Sequence, residues 1–295
     1  MADPAPLTDG ELWSRELLAD LRAENYRPHA WLGFLARSFE RAGRARRARP
    51  ALARQARSWG IAGAIVTVRA GRAAGVSASA CLAWWGLCWA MLDWHLGMVE
   101  GPDGERRERL SPADALTLGR LALVPLVAAP ARRPVWSVVV AAGGASDALD
   151  GRLARRAGTT RLGRELDSAA DAAFFSAAAI GAARAGWASP AAALAPVARH
   201  AAGVAFVALG WFARGSSPDL EDRTPRWLAA PSAAGLLLAA AGARRAADAT
   251  LTVASVAALA TQARSIARAR PKSGGRCLDP RSQMNPGAPR AGSDR

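Results

Sequence analysis

The stretch from Asp147 to Asp171, DALDGRLARRAGTTRLGRELDSAAD, places four aspartates at the ends of two apolar segments. Charges at such a boundary lose hydration and are costly unless they do something. Asp147 and Asp150 are three residues apart, while Gly163, Asp167 and Asp171 follow one another at four-residue steps. If both segments are helical, each set lies on one helix face, and two such faces on adjacent helices can converge. Gathered carboxylates cannot all stay ionised without cations, and as hard oxygen donors they suit Mg²⁺ or Mn²⁺, with two ions as one arrangement. Gly151 and Gly163 leave room for a ligand to approach the helices closely. The plainer reading is a solvated loop in which the aspartates pair with Arg152, Arg155, Arg156, Arg161 and Arg164.

The two apolar segments belong to a larger pattern. Hydrophobic residues make up 51% of the 295, which excludes wholesale disorder. They gather into blocks at Leu116 to Ala129, Val135 to Ala145, Ala169 to Ala183, Ala191 to Ala213, Trp227 to Ala243 and Ala246 to Ala267. Several are short for a bilayer, but a polar end that lines a cavity lengthens a span. Arginines crowd Gly101 to Arg120, Arg152 to Arg164, Arg214 to Arg226 and the end after Arg264, while the intervening turns near Pro130 to Pro134 and Ala185 to Pro190 are short. By the positive-inside rule the basic segments face the cytoplasm, with Arg244 and Arg245 against the scheme. The pattern predicts an all-α polytopic membrane bundle of about six core transmembrane helices.

An amphipathic and then hydrophobic region precedes that bundle. Residues 1–58 carry eleven arginines against seven acids, and Trp31, Phe34, Leu35 and Phe39 recur at three- and four-residue steps. This fits a helix on an anionic bilayer surface and equally a solvated helix packed on its own protein. No cleavable signal-peptide pattern opens the chain. Ala73 to Leu92 is uncharged over the length a spanning helix needs. Trp59 to Val68 is apolar but about half that length, with Arg69 and Arg72 between them. A hairpin, a single span and a re-entrant segment all fit. Trp84, Trp85, Trp89 and Trp94 read as an interfacial belt. Cys81 and Cys88, one heptad apart, read as packing residues.

Other chemistries are excluded or find no support. Three cysteines do not make a disulfide scaffold. Lys272 is the only lysine and follows Pro271, so there is no P-loop. His29, His95 and His200 lack metal-ligand neighbours, and His200 reads as an interhelical hydrogen bonder. The formal charge of +15 is split between loops and tails, so no nucleic-acid partner is expected. A membrane transporter or cation-binding protein using the aspartate cluster is the alternative from another class. It would show midplane acids and a pseudo-repeat, and neither is visible.

Asp147, Asp150, Gly151, Ala154, Arg155, Gly163, Asp167 and Asp171 together resemble the signature of the CDP-alcohol phosphatidyltransferase family at every fixed position. Ala115 to Arg120, ALTLGR, followed by Pro125, resembles the start of that family's first core helix. The resemblance covers roughly Pro112 to Arg268. It implies an integral membrane enzyme of six core helices with its active site facing the cytoplasm, and it allows a homodimer. The implied reaction, part of phospholipid biosynthesis, transfers a phosphatidyl-type group from CDP-diacylglycerol to a small polar alcohol and releases CMP. On this sequence it implies Asp147, Asp150, Asp167 and Asp171 as ligands of two Mg²⁺ or Mn²⁺ ions, with Asp171 also the general base. Gly151, Ala154, Arg155 and Gly163 would then shape the cytidine nucleotide pocket.

Arg120, Arg214, Arg223 and Arg226 are candidates for an acceptor phosphate, with positive-inside decoration the plainer reading. Family members that act on phosphorylated polyols often carry a Lys or Arg at the start of the fifth core helix. Pro231 to Gly235 has none, so the acceptor stays open. The expected organisation is a basic amphipathic cytoplasmic or interfacial region (1–58), added hydrophobic segments and a basic linker (59–110), the six-helix family domain (111–270) and a disordered tail (271–295).

Overall fold

Alanine, leucine and arginine favour helix. The computed structural model, which describes residues 8–101, 103–129, 132–158, 160–214 and 229–268, has no strand among them beyond an isolated bridge between Glu100 and Arg106. Within these residues the side chains at 147, 148, 150, 151, 154–157, 214, 229 and 265–268 fall outside the description. In chain order the helices are α1 (Asp9–Ala23), α2 (Pro28–Ala48), α3 (Pro50–Ala73), α4 (Ala78–Trp94), α5 (Pro112–Ala122), α6 (Val124–Ala128), α7 (Arg133–Ala157), α8 (Arg161–Arg184), α9 (Pro190–Leu209), α10 (Ala229–Ala240) and α11 (Arg244–Arg268). A 3₁₀ turn, Leu96–Met98, follows α4, and a π-helical turn, Gly210–Arg214, extends α9. The tail at 271–295 lies outside the described residues.

Among the described residues all six apolar blocks fall largely on helices, with α5 and α6 sharing the first. The length and hydropathy of a membrane span are met by one stretch among the described residues, Pro190–Ala213. The expected count of about six spans is therefore not reproduced on that measure, because α7 and α8 carry their charged ends inside the helix and the first block is broken. The break follows from Pro125, which lacks an N–H and clashes with the carbonyl four residues back. That carbonyl, Leu121 O, accepts the Trp84 indole N–H from α4 at 2.8 Å.

Left-handed glycines end three helices at one end of the molecule. After α3, α8 and α10, Gly75, Gly186 and Gly242 adopt φ of +74°, +72° and +86°. In each case the next residue's N–H reaches back to an orphan carbonyl: Val76 to Gly71, Trp187 to Ala182 and Ala243 to Leu238. The turn after α8 is tied to the start of α11 by Ser189 N donating to Asp248 Oδ1 at 2.9 Å.

α3 and α4 pack against each other as a helical hairpin. α3 runs unbroken through residues 58 and 59 and past Arg69 and Arg72, because nothing from Pro50 to Ala73 interrupts it. Trp85 and Trp89 donate their indole N–H groups to Gly60 O (2.7 Å) and Ala56 O (3.0 Å) of α3. A Cβ at Gly63 would lie 1.9 Å from the Trp85 ring, so only glycine permits this approach. These indoles join helices rather than forming a belt, which corrects that expectation. Cys81 and Cys88 are buried free thiols in the packing, as expected.

Two apolar clusters hold the rest. One gathers Val127, Trp136, Val140, Phe174, Phe175, Leu236 and Leu251 from α6 to α8, α10 and α11. The other joins Leu52, Trp85, Leu92 and Val99 of the N-terminal half to Leu118, Leu121 and Leu162 of α5 and α8.

Candidate active site

The site is built where α5 packs against both α7 and α8. Asp167 and Asp171 sit one turn apart on α8, about 9 and 15 Å along the axis from its start at 1.5 Å per residue. Both carboxylates take N–H groups from Arg120 of α5. Its Nη1 donates to Asp167 Oδ1 at 3.0 Å and also to Asp171 Oδ1. The Arg120 side chain is 0% exposed, whereas those of Asp167 and Asp171 are 42% and 25% exposed. A buried guanidinium is stable only when charge and hydrogen bonding are met together, and two carboxylates on one cation meet both. This placement corrects the reading of Arg120 as surface decoration or as an acceptor-phosphate ligand.

The same guanidinium reaches α7. Arg120 Nε donates to Ser146 Oγ at 3.2 Å, and that hydroxyl donates to Gly143 O at 2.8 Å. A Cβ at Gly143 would fall 2.2 Å from the Phe174 ring, so this glycine lets α8 press against α7 about one turn from Asp147 and Asp171. Asp147, Asp150, Gly151, Ala154 and Arg155 all lie on α7, as the helical spacing predicts, and their side chains are outside the described set. Arg223 and Arg226 lie outside the described residues, as does the side chain of Arg214.

Gly163 opens the first turn of α8, where its N–H donates to the capping Thr160 Oγ1 at 3.0 Å. A Cβ there would lie 2.9 Å from Asp114 Oδ1, so its missing side chain admits Asp114 of α5. Asp114 is 2% exposed and forms a reciprocal capping box with Ser111.

Arg199 of α9 completes the surroundings. It lies within electrostatic range of Asp171 and donates from Nη1 to the buried Ser232 Oγ of α10 at 3.3 Å. Arg199 is the one arginine in the apolar stretch Pro190–Ala213, and an isolated charge in such a run is itself a functional signal that the sequence reading passed over. His200, beside it, stacks on Phe175 with ring centroids 6.5 Å apart. Its Nε2 has no partner, which corrects the expected interhelical hydrogen bond.

Among the described residues no group of three or more metal-ligating side chains gathers, because two of the four motif aspartates have side chains outside the described set. The two described ones are hard anionic oxygens drawn together on a cation, the donor chemistry that Mg²⁺ and Mn²⁺ take. Both are held here by the Arg120 guanidinium.

Comparison with known proteins brings these features under one description. A family model described as CDP-alcohol phosphatidyltransferase matches residues 110–267, just over half of the chain and the part that contains α5 to α11. No curated protein and no solved structure matches the chain. With the match covering every motif residue and the helices that carry them, the chain belongs to the CDP-alcohol phosphatidyltransferase family.

Proposed function

We propose that this transferase moves a phosphatidyl group from CDP-diacylglycerol to a small polar alcohol, releasing CMP, in phospholipid synthesis. The observation that carries the reading is the Arg120 bridge. One buried guanidinium binds both α8 aspartates and the α7 serine next to Asp147, so the two halves of the motif are held against a common point. Residues 111–270 then act as a bundle of six membrane-crossing units, α5 with α6 counting as one, with the site opening to the cytoplasm. Residues 1–49 are its interfacial region, 50–110 the added hairpin with linker, the boundary moving from 58 to the start of α3, and 271–295 the tail.

Asp147, Asp150, Asp167 and Asp171 would hold two Mg²⁺ or Mn²⁺ ions. Such ions, when bound, neutralise charge on a cleaving pyrophosphate and on the departing nucleotide. Gly151, Ala154, Arg155 and Gly163 shape the nucleotide pocket at the α7–α8 junction.

The acceptor hydroxyl attacks the phosphorus on the lipid side of the pyrophosphate. Its oxygen forms the new P–O bond as the bond to CMP breaks, and its proton passes to a carboxylate oxygen of Asp171. Arg120 fixes the Asp171 rotamer for this step, and Arg199 adds positive potential beside it. The connection between α7 and α8 is short, which keeps the two motif halves in register during turnover.

The test is CMP release by the purified protein in lipid micelles with CDP-diacylglycerol, Mg²⁺ or Mn²⁺, and a panel of acceptors: glycerol 3-phosphate, inositol phosphate, inositol, serine and phosphatidylglycerol. Asp171→Asn serves as the blank. Metal-dependent release with one acceptor supports the reading and names the alcohol. Release that Asp171→Asn leaves unchanged removes Asp171 as the base.

A further inference from the structure

The linker from Leu96 to Arg109 lies just outside the family match, and the transferase chemistry makes no use of it. It folds back on itself. Gly101 N donates to Glu105 O at 2.8 Å, Arg107 N donates to Val99 O at 3.0 Å, and Glu100 bridges to Arg106. The N-terminal half holds this loop in place. Arg49, which precedes α3, donates to Leu96 O, Val99 O and Arg107 O. At the end of α4, Phe39 of α2 stacks on Trp94 with centroids 4.4 Å apart, and Arg46 pairs with Asp93.

The loop touches the junction between α7 and α8. The first four N–H groups of a helix have no partner within it, and that of Arg161, the first residue of α8, donates to Glu100 O at 2.9 Å. The Arg161 side chain returns to the same residue, with Nη1 3.6 Å from Glu100 Oε1. Glu100 is 4% exposed, so its carboxylate needs partners, and besides Arg161 it accepts from the Thr8 hydroxyl at 3.0 Å. Gly10 of α1 makes way for the pair, since a Cβ there would stand 2.7 Å from Glu100 Oε1 and 3.0 Å from Arg161 Nη1. On the other side of the junction, Gly158 turns the chain with φ of +80°. A Cβ at Gly158 would stand 3.1 Å from Arg107 Nη2. The loop therefore grips the junction at both ends, with Arg107 over residue 158 and Glu100 on residue 161.

We propose that Glu100 and Arg107 are positioning residues for the nucleotide end of the donor, through which the added N-terminal region sets the affinity for CDP-diacylglycerol. The inference rests on the reading that Gly151, Ala154, Arg155 and Gly163 shape the nucleotide pocket. Gly163 stands two residues past Arg161, and Arg155 three residues before Gly158, so a shift of the junction moves both walls of that pocket. The reacting end is insulated. Asp167 and Asp171 lie about 9 and 15 Å along the axis of α8 from Arg161, and Arg120 holds both. A loosened junction weakens nucleotide binding and leaves the saturated rate alone.

The experiment uses the full chain in lipid micelles. Glu100→Gln keeps the side-chain shape and removes the charge, and Arg107→Met keeps the stem and removes the guanidinium. CMP release is measured against CDP-diacylglycerol at saturating acceptor, then against acceptor at saturating CDP-diacylglycerol. Equilibrium binding of CDP-diacylglycerol is titrated in parallel by calorimetry. Glu100→Gln should raise the donor KM and Kd about tenfold, the worth of one charge-assisted hydrogen bond, and Arg107→Met should raise both several-fold. Both variants should keep kcat and the acceptor KM at the parent values. Gly10→Ala removes no charge and presses on the same pair from α1, so it should shift donor binding the same way by less.

Folded variants with donor KM and Kd unchanged overturn the proposal and leave the transferase reading standing. A donor KM that rises only together with the acceptor KM, or a kcat that falls, assigns the two residues to the general stability of the core and also overturns it. Should the parent chain bind CDP-diacylglycerol without releasing CMP, the transferase reading fails, while a tenfold weaker Kd in Glu100→Gln still supports the proposal. A parent chain that binds no CDP-diacylglycerol overturns both.

Discussion

Two buried arginines, one in each half of the molecule, are satisfied in opposite ways. Arg49, at the base of the α3–α4 hairpin, is 5% exposed and donates to three backbone carbonyls: Leu96 O (2.6 Å), Val99 O (2.9 Å) and Arg107 O (3.2 Å). Arg120, in the matched core, is 0% exposed and donates to two carboxylates and a serine hydroxyl. Carbonyls are neutral and fixed, so Arg49 works as a staple between a hairpin and its linker. Burial, with help from Arg106, pulls the Arg49 pKa below the ordinary guanidinium value, and Glu108 and Glu100 pull it back. The Arg120 partners are anions on one helix that would repel each other without it. That arrangement stabilises the fold only by holding charge in place, as a site requires and a scaffold does not.

The comparison predicts that damage in the core falls on chemistry first. Asp171→Asn should retain folding and metal affinity better than Asp147→Asn, and each should lower CMP release by about 10² to 10⁴, or about 3–5 kcal/mol of barrier. Initial rates with CDP-diacylglycerol and the acceptor that works check this. Arg120→Met should come next, at about 3 kcal/mol of unfolding free energy, the low end for removing one member of a buried ion pair because its partners are partly exposed. Tryptophan-monitored unfolding reads that loss. An unchanged midpoint would mean that the two aspartates do not depend on the guanidinium.

Arg49→Met tests the other half. It removes three hydrogen bonds, leaving Leu96 O and Val99 O with one backbone donor each, a loss of about 1–3 kcal/mol. Unlike the core variants, the folded fraction should turn over CDP-diacylglycerol at the parent rate. A fall in kcat at full folding would show that the N-terminal half shapes the site, and the contrast between the two arginines would fail.

Much of the core is legible in the sequence, and the physical reasons for the rest are specific. Fixed spacing encodes faces, so spacing alone puts Asp147 with Asp150 on one helix and Asp167 with Asp171 on another. Which group joins the two helices has no such signal, because Arg120 reaches Ser146 of α7 from 26 residues away and Asp167 of α8 from 47. Gly163 reads in the sequence as room for a ligand, and its contact is Asp114, a residue with no pattern to mark it. In the N-terminal half, hydropathy does not choose among a hairpin, a single span and a re-entrant segment. The close packing of α3 on α4 rests instead on Gly60, Gly63 and Gly71, which face the α4 side chains Trp89, Trp85 and Cys81. A glycine series of this kind becomes informative only once its partner is known.

The weakest link between the halves is at Tyr26, the single tyrosine of the chain. Tyr26 and Asn25 hold φ of +56° and +49°, a left-handed conformation that costs a bulky residue roughly 1 kcal/mol or more. That strain places the hydroxyl on Phe212 O, a carbonyl of the π-helical turn where α9 ends. A π-helical turn departs from the regular α-helical ladder, so a donor from outside has a carbonyl to meet. Tyr26→Phe removes that donor and keeps the ring, and because the contact is exposed the expected loss is about 0.5–1 kcal/mol. The global midpoint should scarcely move. Amide exchange at residues 210–214 should instead speed up, since the loss is confined to the end of α9. If exchange there is unchanged, the strained turn does not hold α9, and α2 is positioned from the Trp94 side alone.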